Sequence, residues 1–227
     1  MNDLVDEDVD KKNIRKGNFI YGAKTTRAQR KGVWSAIIIL NGIPLLVYGF
    51  ITCDLTYMIL WLLAAVCVNF LYNNKPFQLS RKCPYELPTM IAGHFLIPLL
   101  SCRINDVAMP SWDSLLFHAL LLSRSHIWLE FADISCDEKE GKRTIAVVLR
   151  HKWSLRLVLL LTALEAAVGY WLLNSLVLAC FSLFGILVFY LSATAKGVKE
   201  EKVHVSISQS LVGVVLMCFL WYTKVLV

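Results

Sequence analysis

The chain has 227 residues, 57% hydrophobic and 18% charged, with a mean hydropathy of +0.57. That is too apolar for an ordinary soluble domain and points to a membrane protein. The net charge of +6 is not a nucleic-acid signal, because the basic residues flank apolar runs instead of interleaving with aromatics on a soluble surface.

The first ten residues, MNDLVDEDVD, hold the acids Asp3, Asp6, Glu7, Asp8 and Asp10. On a helix Asp3, Asp6 and Asp10 fall at about 0°, 300° and 340°, one face with Asn2 adjacent, while Asp8 lies well round the helix. Lys11, Lys12, Arg15 and Lys16 follow at helical spacing. This start is polar and charged where a cleavable leader would be apolar.

Seven apolar runs follow, at about 33–50, 54–72, 86–104, 111–131, 154–173, 175–195 and 203–226, each near the roughly 17 to 25 residues that cross a bilayer. With residues 1–32 on one side, the loops near 73–85, 132–153 and 196–202 share it. Those segments, with Arg156 just inside the next span, contain all the Lys and Arg except Arg103, Arg124 and Lys224. The positive-inside rule makes this face, and the N-terminus, cytoplasmic. Pro44, Pro98, Gly42 and Gly93 lie inside spans, where neighbouring helices can satisfy a broken backbone ladder. The seven cysteines show no CxxC or Cys/His ligand spacing, so neither a zinc site nor a disulfide framework is indicated. There is no GxSxG, Walker-type glycine loop or HExxH.

The fourth span passes directly into a second acidic segment, EFADISCDEKEGKRTIAVVLR. At 100° per residue His126, Glu130, Asp133 and Asp137 fall at about 0°, 40°, 340° and 20°, a single stripe. Arg124 falls at about 160°, so it must face another helix or snorkel. Acids stacked in this way repel one another. A cation shared among their oxygens removes the repulsion, and Mg²⁺ favours a few carboxylates plus substrate phosphate oxygens. The alternative is a solvated helix end whose acids pair with Lys139, Lys142 and Arg143. Two acidic stripes on one membrane face favour a shared site for two Mg²⁺ ions and a diphosphate.

These residues carry a resemblance. Asn2-Asp3-x-x-Asp6-x-x-x-Asp10 resembles the NDxxDxxxD motif of the UbiA superfamily of intramembrane prenyltransferases. Asp133-x-x-x-Asp137 with the trailing GKRTIAVVL resembles its second motif, and FLYNNKPFQLSRK (70–82) is similar to its tyrosine-containing loop with a downstream basic pair. The three segments occur in family order. The resemblance implies an all-α, polytopic helical bundle forming one domain over 1–227. Family members have nine transmembrane helices, with the first motif closing the second of them. Seven spans are therefore expected here, with the first two helices missing or, on the other reading, a natural seven-helix relative.

The resemblance further implies Mg²⁺-dependent transfer of an isoprenyl group from a prenyl diphosphate to a lipophilic or aromatic acceptor within the bilayer. Metal ligation falls to Asn2, Asp3, Asp6, Asp10, Asp133 and Asp137. Arg81, Lys82, Lys142, Arg143 and Lys11 are candidates to grip diphosphate, since Arg offers a planar fork and Lys a point charge; plain topology also explains them. Tyr72 is a candidate hydrogen-bond donor to substrate, or an interface anchor. Glu130 and His126 lie deeper on the stripe, where ionisable groups are functional by default. Asn69 and Asn73 read as packing and cap residues. No obligate protein partner is expected. Two other readings remain, a transporter relaying ions or protons through intramembrane acids and an inactive prenyltransferase fragment.

Overall fold

The structure, a computed structural model, describes residues 27–194. The first acidic motif, Lys11 and the last expected span, 203–226, lie outside the described residues. Within them all regular structure is helical apart from one bridged residue pair. The chain falls into two compact units, one ending at Leu79 and the other beginning at Ser80.

In the first unit, α1 (Arg27–Ile37) runs through a five-residue π-turn, Ile38–Gly42, into α2 (Ile43–Ile51). The widened turn has a local cause. Pro44 has no N–H, and its ring would crowd the Leu40 carbonyl of a regular helix. The Ile43 N–H instead reaches the Ile38 carbonyl, five residues back. The chain reverses after α2 with Cys53 at φ +60° and the Asp54 N–H donating to the Gly49 carbonyl at 2.8 Å. It then enters α3 (Leu55–Asn73).

Gly49 is buried where α2 meets α3. A Cβ there would lie 2.7 Å from Met58 Cγ and 3.1 Å from the Leu55 Cα. Small residues permit such close approach in membrane bundles. Because one obstacle is backbone, Gly49→Ala is expected to destabilise the hairpin by about 1–3 kcal/mol, read as a lowered melting midpoint in detergent.

The second unit contains α4 (Glu86–Ile104), α5 (Trp112–Lys139), α6 (Ile145–Trp171) and α7 (Leu176–Thr194). The main packing is α5 on α6 and α6 on α7. Ile127, Trp128, Ile145 and Val158 form one buried cluster, and Phe117 with Leu178 another. Gly169 lets α6 approach α7 closely, since its Cβ would stand 3.0 Å from Leu178 Cβ. Helix α6 breaks at Arg150, whose φ is +62°. Its short first segment is tied back by Ser154 Oγ, which donates to the Ala146 carbonyl at 3.3 Å.

A buried polar contact joins three of these helices. Arg124 of α5 donates from Nε to Glu165 Oε2 at 2.7 Å and from Nη2 to Oε1 at 3.3 Å, and Ser182 Oγ of α7 donates to Oε1 at 2.7 Å. Arg124 therefore faces another helix, one of the two alternatives its angular position left open.

Lys31–Ile51, α3, α4 and α6 are long and apolar enough to cross a membrane, and α7 is apolar over Leu176–Leu187. Helix α5, which carries Asp113, Arg124, His126 and Glu130, is more polar. Outward-facing Leu40, Phe50 and Ile51 are 71%, 75% and 73% exposed. Lipid tails, as apolar as these side chains, account for that surface.

Candidate functional site

The acidic end of α5 is built by its C-cap. Gly141, at φ +71°, closes the helix: its N–H donates to the Glu138 carbonyl at 3.1 Å and the Lys142 N–H to the Asp137 carbonyl at 2.9 Å. This paired arrangement is a Schellman motif, for which glycine is the residue without a steric penalty. The reversal brings Lys142 Nζ back to Asp137 Oδ1 at 2.9 Å and Glu140 Oε2 at 3.0 Å.

Asp137 is buried and Asp133 half-buried. Burial pushes the Asp137 carboxyl above the usual aspartate range; Lys142 pulls it back, and Asp133 and Glu140 add to the rise. For Lys142, burial opposes the charge, but the hydrogen bonds and charges of Asp137 and Glu140 outweigh it and hold the ammonium protonated.

Past Lys142 the chain pairs with the loop before α4. The Arg143 N–H donates to the Arg81 carbonyl at 3.0 Å and the Cys83 N–H to the Arg143 carbonyl at 2.7 Å, forming the parallel bridge between Lys82 and Arg143. Two basic pairs far apart in sequence, Arg81–Lys82 and Lys142–Arg143, thereby come together beside the acidic helix end.

The start of α6 is held by three side chains. Thr144 is the N-cap, its Oγ1 accepting from Val147 N at 3.4 Å. Glu86 Oε1 accepts from Ile145 N at 2.5 Å and Glu130 Oε2 from Ala146 N at 3.4 Å. Free amides at a helix start need acceptors, and carboxylates there also meet the positive end of the helix dipole. Glu130 thus joins α5 to α6 directly behind the basic pairs. Its other oxygen, Oε1, lies 3.1 Å from His126 Nε2. Burial, Glu86 and Glu130 all raise the pKa of the Cys83 thiol in the adjoining loop.

A family model for the UbiA prenyltransferase family matches residues 1–209. The chain belongs to the UbiA prenyltransferase family. None of the curated proteins and none of the solved structures compared with it matches. UbiA proteins are intramembrane prenyltransferases, and the apolar helices agree with a transferase built into the membrane.

In this UbiA chain the second unit gathers Arg81, Lys82, Glu130, Asp133, Asp137, Lys142 and Arg143. Tyr72, half-buried on α3, belongs to the first unit. Asn2, Asp3, Asp6, Asp10 and Lys11 are outside the described residues. Among those described, no three His, Cys, Asp or Glu side chains converge as a metal site; Asp133 and Asp137 offer two donors. Asn73 is buried and donates to Asn69 Oδ1 at 3.2 Å, a contact within α3.

Sequence reasoning missed Glu86, Thr144 and Glu165. Thr144 stood in plain view as a Thr just before an apolar run. Glu165, a lone acid in an apolar helix, was the natural partner for Arg124. Glu86 opens the expected span 86–104, and nothing local to it announces a partner 59 residues away.

Proposed function

We propose that this UbiA protein transfers an isoprenyl group from a prenyl diphosphate to a lipophilic or aromatic acceptor, using Mg²⁺ and a single domain. The observation that carries the reading is the junction of Arg81–Lys82 with Lys142–Arg143 next to Asp133 and Asp137, cations for a diphosphate beside carboxylates for a metal.

The carboxylates fit Mg²⁺, a hard cation that takes one or two of them and completes its shell with phosphate oxygens and water. A positive charge already lies against Asp137, that of Lys142. Asp133 and Asp137 would hold one ion, and Asn2, Asp3, Asp6 and Asp10 would hold the other. When bound, Mg²⁺ neutralises charge developing on the departing diphosphate. Arg81 and Arg143 offer forks to its oxygens, with Lys82, Lys142 and Lys11 as point charges. Tyr72 would donate a hydrogen bond to substrate. Glu130, pinned to Ala146, fixes the basic junction against the acidic helix end. Apolar helix faces would shelter the prenyl chain and exclude water that would quench an allylic cation. The site lies on the cytoplasmic face. The transporter reading draws on the buried Arg124–Glu165 pair, but those two groups satisfy each other.

The test is a membrane assay with labelled geranylgeranyl diphosphate, Mg²⁺ and a panel of aromatic and lipid acceptors. Transfer that ceases on chelation is expected. Transfer insensitive to chelation, or none to any acceptor, would count against the reading.

The acid limb of that activity depends on Asp137. Ligation needs the Asp137 carboxylate, and burial raises its pKa, so activity is lost at a higher pH than an exposed aspartate would give as pH falls. Lys142 counteracts the rise. Lys142→Met should therefore move the acid limb to still higher pH, in addition to any loss of rate. An unmoved limb would show that Asp137 does not set it.

A further inference from the structure

Deeper along the stripe of α5, and apart from the diphosphate-gripping residues, His126 and Glu130 stand beside the start of α6. Glu130 is anchored through Oε2 to the Ala146 amide, and its Oε1 lies 3.1 Å from His126 Nε2, off the line of a formed hydrogen bond. Glu86, fully buried on α4, acts electrostatically on this pair, and its Oε2 is buried without a hydrogen-bond partner. Two buried polar atoms thus lack hydrogen bonds at one place, a costly arrangement that demands a role. The His126 side chain remains 19% exposed, so the imidazole is within reach of a ligand although Glu86 is not.

A reachable imidazole beside a carboxylate that is itself fixed by backbone has the placement of a general base. We propose that His126 takes the proton that the acceptor loses, an inference that rests on the prenyl-transfer reading. The C–O bond of the prenyl diphosphate breaks, and its electron pair leaves with the diphosphate. The allylic carbon bonds to a carbon or oxygen of the acceptor, and the proton displaced from that atom passes to the imidazole nitrogen facing away from Glu130. The carboxylate of Glu130, 3.1 Å from the other nitrogen, stabilises the imidazolium by its charge. Among the described residues, the charged groups that act on the ring are Glu130 on its own helix and Glu86 on α4; from α6 the Ile145 and Ala146 amides are bonded to those carboxylates. The Cys83 thiol, in the loop before α4, feels both carboxylates. Arg124 is engaged with Glu165.

The experiment compares His126→Ala, His126→Gln and wild type in membranes, measuring acceptor prenylation and Kd for geranylgeranyl diphosphate. Prenylation in both variants should fall by about 10²–10⁴-fold, the usual contribution of a positioned base, with Kd unchanged. Added imidazole should restore part of the rate in His126→Ala and none in Asp137→Ala. Wild-type prenylation in the His126 variants overturns the proposal. So does weakened diphosphate binding, which marks a structural role, or failure of the imidazole rescue. Absence of prenylation by the wild-type protein with every acceptor is a separate outcome, which sinks the prenyl-transfer reading itself.

Discussion

Asp137→Ala is expected to lower prenyl transfer by about 10²–10³-fold, and Asp133→Ala by a similar factor, the range for removing one preorganised stabiliser of developing charge. The effect should fall on kcat/KM at saturating Mg²⁺. The helix end should survive, because the Schellman bonds use the backbone carbonyls of Asp137 and Glu138, not their side chains. Asp137→Asn sharpens the test. It preserves shape and leaves an oxygen for Lys142, but it removes the charge that opposes a cation, so it should be nearly as inactive as Asp137→Ala. A variant that melts as wild type does and is inactive places the loss in chemistry. Unchanged turnover in both Ala variants would sink the mechanism, whatever the family.

Such a substitution could be chosen from the sequence because the stripe is a property of one helix. Angular spacing alone puts Asp133 and Asp137 on one face, and α5 does continue as a helix through them to Lys139. Hydropathy ended the expected span near 131, where the acids begin, although Glu and Lys are good helix formers and the helix runs on until Gly141 stops it. In α6 the same bias acted at the other end. The polar run Arg150–Lys152 hid the short segment Ile145–Leu149, and the expected span began at 154, beyond the break. Four other runs, 33–50, 54–72, 86–104 and 175–195, fall within a few residues of helical stretches in the structure, since length and apolarity are what a bilayer demands of a span.

Long-range pairing was not legible in this way. Nothing local in RKC or KRT announces that Arg143 will bond to the backbone of Arg81 and Cys83, so the two basic pairs could be proposed separately but not joined. Glu130 shows the same limit. Its position on the stripe was readable, whereas the fact that one carboxylate oxygen serves the Ala146 amide depends on where α6 begins. Loop pairings and caps are decided by tertiary structure, and here they assemble the charged end of the unit.

The Arg124–Glu165 pair yields the largest expected stability effect. Glu165 is fully buried and Arg124 nearly so, with Ser182 completing the carboxylate's bonds. Glu165→Leu removes the acceptor and leaves a guanidinium enclosed among helices, a change expected to cost about 3–5 kcal/mol. The pair itself is a different matter. Desolvating two charges offsets much of their attraction, so replacing both, as Arg124→Met with Glu165→Leu, should recover most of the loss. Melting midpoints in detergent for the two single variants and the double variant form the test. Coupling between the substitutions supports a true pair, while single variants as stable as wild type would show that water or lipid headgroups reach Arg124 and the clamp contributes nothing. If the coupling is found, it also explains how a helix as polar as α5 is held among apolar neighbours with its acidic stripe facing the α6 start: Arg124, on the far side of that stripe, is the contact that fixes its rotation.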